Sequence, residues 1–158
     1  MTAKKLTDSV YFLPGATNIG IISCFSSTKK TNEVYLVDTG MSASDAKVIL
    51  EELKSLFPKE KGGYSIKAII STHSHADHCG GNKYIIEKTK CDLLATKKES
   101  GSIQNPFLQA AVIWGGNPIP EITGPYYEAE PTMPTKIIDA AVKITLDNSS
   151  EISFFPLP

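Results

Sequence analysis

The sequence lacks any long run of apolar residues. No stretch approaches the roughly 20 consecutive apolar residues of a transmembrane helix. The opening "MTAKKLTDSVYFLPG" has no apolar run long enough for a secretory signal. Cysteine is scarce: three residues, at positions 24, 79 and 91, with no C-x-x-C or zinc-finger spacing. A reducing cytoplasm is the compartment this predicts. Neither sign of charge dominates, since 16 Lys and Arg face 17 Asp and Glu for a net charge of −1. The lysine pairs at 4–5, 29–30 and 97–98 are scattered rather than gathered in a stripe, so no nucleic-acid or other polyanionic partner is expected. Internal repeats and low-complexity segments are absent too. Histidine is almost absent, and its few copies are the informative ones: all three lie within "STHSHADHCGGN" (71–82).

What is present reads as one α/β domain over 1–158. "VYFLPG" (10–15), "NIGIISCF" (18–25) and "EVYLVDTG" (33–40) have the β-branched, apolar make-up of strands, with "SSTKKTN" (26–32) as a polar turn. A helix follows with its start written out. Ser42 is the N-cap and Asp45 completes a capping box, while Ala46, Ile49, Leu50, Leu53, Leu56 and Phe57 fall on one face. "SIKAIIST" (65–72) predicts a strand, and its unalternating Ala68-Ile69-Ile70 predicts cover on both faces. "GNKYIIEKTK" (81–90) predicts a short helix and "CDLLAT" (91–96) another strand. From 33 to 96 the order is strand, helix, strand, histidine loop, helix, strand. In such a domain reactive groups emerge at the carboxyl ends of the strands.

Residues 105–116, "NPFLQAAVIWGG", predict a helix with Asn105 as N-cap, Pro106 in its first turn and Gly115-Gly116 as its stop. So apolar a helix packs in a core, covers a site or meets another chain, and core packing is the first expectation. The proline-rich stretch 117–136 has little regular structure to offer and is long enough to be a lid, a binding loop or a linker. "KIIDAAVKITL" and "EISFFPLP" around "DNSS" predict a hairpin.

The histidine segment has the spacing of a metal site. Residues two apart in extended chain point to one side, so His73 and His75 can reach one point. Asp77 and His78 come after the chain has turned, and one loop could serve two metal ions about 3.5–4 Å apart. Imidazole suits zinc, iron or manganese, and a carboxylate adds charge. No thiolate is needed, although Cys79 is adjacent in sequence. Small residues Ser74, Ala76, Gly80 and Gly81 leave room for tight turning and for close approach of a substrate.

His73-Ser74-His75-Ala76-Asp77-His78 resembles the H-x-H-x-D-H signature of metallohydrolases with the metallo-β-lactamase fold. "EVYLVDTG" resembles that family's strand ending in Asp-Thr-Gly, and "ISFFPLP" resembles the strand that precedes its next metal-binding histidine. The resemblance covers nearly the whole chain, apart from a helix-plus-loop insertion at about 105–135. It implies an αββα sandwich, with His73 and His75 on a first divalent ion and Asp77 and His78 on a second. Zinc is the expected metal, with iron or manganese as alternatives. Asp38 would order the loop through hydrogen bonds, and an aspartate that merely closes a turn after a strand is the competing reading.

The same resemblance implies hydrolysis of a small-molecule ester, thioester, lactone, amide or phosphodiester by metal-bound hydroxide, with Asp77 orienting the water or passing its proton. The family's third histidine, bridging aspartate and last histidine would all lie downstream of "ISFFPLP". The N-terminal half to two-thirds of the sandwich is therefore expected, as a fragment, an interrupted gene or one of two pairing chains. A truncated product of a longer enzyme, inactive or impaired alone, is the favoured expectation, with a homo-oligomer covering the sheet's exposed face. An iron-dependent oxygenase or oxidoreductase on the same fold and a non-catalytic metal-binding or interaction module are the alternatives.

Overall fold

The computed structural model of the protein describes residues 2–116, 119, 128–139, 141–147 and 149–155. Strands β1 (Lys4–Lys5), β2 (Val10–Leu13), β3 (Ile19–Ser26) and β4 (Thr31–Val37) form an antiparallel meander. From β4 onward the chain alternates. Helix α1 (Ala43–Leu56) leads to β5 (Tyr64–Ile70), and α2 (Ala76–Cys79) with α3 (Asn82–Thr89) leads to β6 (Asp92–Thr96). Helices α4 (Lys97–Gln104) and α5 (Phe107–Trp114) precede β7 (Lys136–Ile138). Strands β4 to β7 pair in parallel, so one sheet of seven strands runs in chain order. Strands β8 (Lys143–Thr145) and β9 (Glu151–Ser153) form a separate antiparallel hairpin.

Because side chains alternate across a strand, neighbouring residues feed two different cores. Val34, Leu36, Ile66, Ile69, Leu93 and Ala95 pack with Ala46, Ile49 and Leu53 of α1, Ile85 of α3 and Ile103 of α4. On the other face Tyr35, Ala68, Ile70 and Leu94 pack with Ile138 and Leu146, against which Ile144 and Ile152 of the hairpin lie. Residues 68–70 therefore serve both cores, which is why their apolar run does not alternate. Helices thus cover one face of the large sheet and the small second sheet lies against the other. The hairpin corrects one expectation: the sheet's second face is not bare, since Tyr35, Ala68, Ile70 and Leu94 are all buried beneath it.

Helix α1 starts as its sequence dictates. The Asp45 N–H donates to Ser42 Oγ at 3.4 Å, and Asp45 Oδ2 accepts the Met41 N–H at 2.9 Å. Ala46, Ile49 and Leu53 are buried, each of the two larger side chains stabilising the fold by about 1.5–3 kcal/mol.

Three expectations are revised. Helix α4 is new, and it takes Asn105 for its own end: the Asn105 N–H donates to the Gly101 carbonyl at 3.0 Å, and Pro106 rather than Asn105 is the N-cap of α5, with no side-chain hydrogen bond. Helix α5 is not core, because Phe107, Leu108, Val112, Ile113 and Trp114 are exposed and only Ala110 is buried. The run 136–146 holds two strands rather than one, broken where Asp139 Oδ1 accepts the Ala141 N–H at 2.8 Å. The Gly115 stop is as expected, in the left-handed region at φ 69°. Most of 117–127 and the closing 156–158 lie outside the described residues, and 128–135 forms no helix or strand.

Candidate metal centre

Asp38 follows β4, the histidine segment follows β5, and Glu99 stands in the first turn after β6. The parallel strands thus present these groups at adjoining carboxyl ends, where open α/β sheets place their ligands.

Asp38 organises the loop. It is buried at 4% exposure and sits in the left-handed region at φ 64°, a conformation that aspartate tolerates better than most residues. Its Oδ1 accepts the Thr72 N–H at 2.8 Å, and its Oδ2 accepts the Thr72 hydroxyl at 2.7 Å. His78 Nδ1 lies 2.7 Å from the same Oδ2. An ionised carboxylate only accepts, so a proton belongs on His78 Nδ1, and in the neutral ring Nε2 is the nitrogen with the lone pair. Thr72 has given its one hydroxyl hydrogen to Asp38, so at 3.0 Å it accepts from His73 Nδ1. Asp38 therefore sets the tautomer of two imidazoles, one directly and one through Thr72.

The three rings gather. His73 lies 4.6 Å from His75 and 4.0 Å from His78 between ring centroids. Burial, reinforced by the neighbouring His78 and His75 rings, holds the His73 imidazole below the usual histidine range, which favours the neutral form that binds metals. His75 is exposed and directly precedes α2. Asp77 and His78 stand on that single helical turn, where Asp77 Oδ2 accepts from Thr17 Oγ1 at 3.1 Å and lies 3.6 Å from His78 Nε2.

In kind, this donor set fits a divalent cation: three imidazoles, two of them hydrogen-bonded through Nδ1, and a half-exposed carboxylate beside one of them. Among the described residues no group of three or more His, Cys, Asp or Glu side chains converges as a complete metal cage. What the chain offers is pairs of ligands.

Gly80 and Gly81 do something other than admit a substrate. A Cβ on Gly80 would stand 1.9 Å from the Met41 carbonyl oxygen, and one on Gly81 would stand 2.4 Å from that of Thr39. The group approaching closely is the chain's own backbone. The same seam is closed by the Thr39 N–H donating to the His78 carbonyl at 2.8 Å. Cys79 stays a thiol: burial pushes it up to about 12, and its Sγ donates to the Ser74 carbonyl at 3.4 Å.

Sequence reasoning missed Thr17, Thr72, Asn82, Glu99 and Gln109. Fully buried Asn82 accepts from Thr39 Oγ1 at 2.8 Å and donates to Ser71 Oγ at 3.1 Å, tying together the ends of β4, β5 and α3. Glu99 had a readable signal, because Thr96-x-x-Glu99 is a capping box, and Thr96 Oγ1 does accept the Glu99 N–H at 3.3 Å.

The metallo-beta-lactamase superfamily model matches residues 14–142, and the chain belongs to that superfamily. A hydroxyacylglutathione hydrolase of Nitrosococcus oceani is 40% identical over 55 residues, which is 35% of this chain and 21% of that protein. BJP-1, a subclass B3 metallo-beta-lactamase of Bradyrhizobium japonicum, superposes with a TM-score of 0.71 at 17% identity, over 97% of this chain and 50% of its own. LRA-12, a class B3 di-zinc metallo-beta-lactamase from an Alaskan soil metagenome, gives 0.68 at 18% identity, over 94% and 49%. The chain spans about half the length of these solved structures.

Proposed function

We propose that residues 73–78 are the divalent-metal site of a hydrolase acting on a small-molecule ester, thioester, lactone, amide or phosphodiester. Thioesters stand first, because the curated relative is a hydroxyacylglutathione hydrolase. The observation that carries this reading is the Asp38–Thr72 network, which engages Nδ1 of both His73 and His78 and leaves Nε2 as the ring nitrogen for a metal. A group of this kind is what metal-binding histidines need around them.

When bound, a divalent cation, zinc first and iron or manganese next, supplies Lewis acidity that acidifies water and draws charge from a substrate's carbonyl or phosphoryl oxygen. His73 and His75 would hold one such ion, and Asp77 and His78 a second. Asp77 Oδ2 has Thr17 on one side and His78 Nε2 on the other, so it is oriented to steer a water or take its proton. Helix α5, exposed and apolar yet hydrogen-bonded through Gln109 to Ser74, would cover the substrate together with the stretch up to about residue 135.

The test is metal-free protein, prepared with a chelator, reloaded with zinc and assayed against a panel of those five bond classes. The expected result is zinc-dependent turnover, impaired because the described residues supply ligands only in pairs, that falls away in His75→Ala. Hydrolysis that survives chelation would contradict it, and uptake of metal without turnover would leave a metal-binding module in place of an enzyme.

A further inference from the structure

Ser74, between His73 and His75, is buried at 3% exposure, and each of its polar groups is held by a side chain from a different helix. Its N–H donates to Glu99 Oε2 of α4 at 2.8 Å. Its Oγ accepts from Gln109 Nε2 of α5 at 2.5 Å. Its carbonyl accepts from Cys79 Sγ of α2 at 3.4 Å.

Glu99 is the telling member. At the third position of α4, with Thr96 as the cap, a glutamate ordinarily turns back to the cap's own N–H. Here the carboxylate reaches Ser74 instead, 25 residues away in sequence. Gln109 makes a matching choice: on a helix whose other large side chains are exposed, it donates inward to Ser74.

We infer that Glu99 and Gln109, meeting on Ser74, are positioning residues that fix the spacing of His73 and His75 and thereby set the affinity for a divalent cation. This rests on the metal reading above. With the serine amide and hydroxyl both anchored, the backbone between the two histidines cannot shift without breaking a part-buried hydrogen bond to a buried serine, which is costly to leave unmade. Helix α5 is thereby mechanically joined to the metal loop.

The experiment compares wild type with Glu99→Ala, Glu99→Gln and Gln109→Ala. Two quantities are read: hydrogen exchange at the Ser74 amide in metal-free protein, and the zinc Kd by competition with a chromophoric chelator. In Glu99→Ala the amide should exchange faster and zinc should bind about 10–100-fold more weakly. Glu99→Gln keeps an oxygen that accepts the Ser74 N–H and should restore most of the affinity. If Glu99 mattered only as a negative charge at the start of α4, the glutamine variant would fail as badly as alanine. Gln109→Ala, at a half-exposed site, should weaken zinc binding by a smaller factor with folding intact. Faster exchange with unchanged zinc affinity in both alanine variants overturns this inference alone. Absence of zinc uptake by the wild type overturns the metal reading and this inference with it.

Discussion

Asp38 Oδ2 and His78 Nδ1 stand 2.7 Å apart across 40 residues of sequence, and the same oxygen accepts the hydroxyl of Thr72. One buried carboxylate at the end of β4 thus sets the chemistry of a loop that begins at the end of β5. The left-handed backbone at Asp38, φ 64°, aims that carboxylate across the strand ends.

Asp38→Asn isolates this role, because asparagine also tolerates a left-handed backbone. With the amide oxygen accepting the Thr72 N–H, its NH2 faces His78 Nδ1 and drives the proton to Nε2. Zinc affinity is expected to fall about 10–100-fold, read by chelator competition. The 15N shifts of His78 should report the switched tautomer. An unchanged tautomer with unchanged affinity would contradict the role of Asp38.

Gly80 and Gly101 should respond in opposite directions to alanine. At Gly80 a Cβ meets the Met41 carbonyl oxygen at 1.9 Å, so folding is expected to lose about 3 kcal/mol as the two loops are forced apart. At Gly101, inside α4, nothing lies within 4 Å of the new Cβ, and alanine should gain about 0.5–1 kcal/mol. Urea denaturation of both variants reads the difference.

Exposure on α5 predicts that Val112→Lys, at 81% exposure, shifts stability by no more than about 0.5 kcal/mol. Leu53→Ala, on the buried face of α1, should cost about 2–5 kcal/mol. Comparable losses in the two variants would return α5 to the core.

Much of this was legible in the sequence because it is local. Ser42 and Asp45 cap α1 as their spacing says, and the run 68–70 reads as a strand buried on both sides. The gathering of His73, His75, Asp77 and His78 on one loop follows from their places in the chain. What was not legible arrives from a distance. Glu99 and Gln109 meet Ser74 across 25 and 35 residues, and no spacing rule reports such meetings. Helix α4 was hidden because Ser100, Gly101 and Ser102 are weak helix formers and its buried residues are only Ser100 and Ile103, too few to show a helical period. The apolar make-up of α5 signalled burial, and the structure leaves it uncovered.

The three cysteines, all buried, are expected to resist alkylation in the folded protein. Burial pushes the Cys91 thiol up and the Cys79 thiol up to about 12, so thiolate is scarce at both near pH 8. Iodoacetamide followed by mass spectrometry should find no rapid adduct on native protein and three after denaturation. A fast adduct on the folded chain would show that one of these sites opens.

The most direct test of the proposed metal site is zinc K-edge X-ray absorption on the zinc-loaded protein. Imidazole scattering with nitrogen or oxygen at about 2.0–2.1 Å and no sulfur near 2.3 Å is the predicted spectrum, reduced when His73 and His75 are replaced by alanine. A spectrum of water oxygens alone, or one dominated by sulfur, would contradict the assignment of residues 73–78 as the metal ligands.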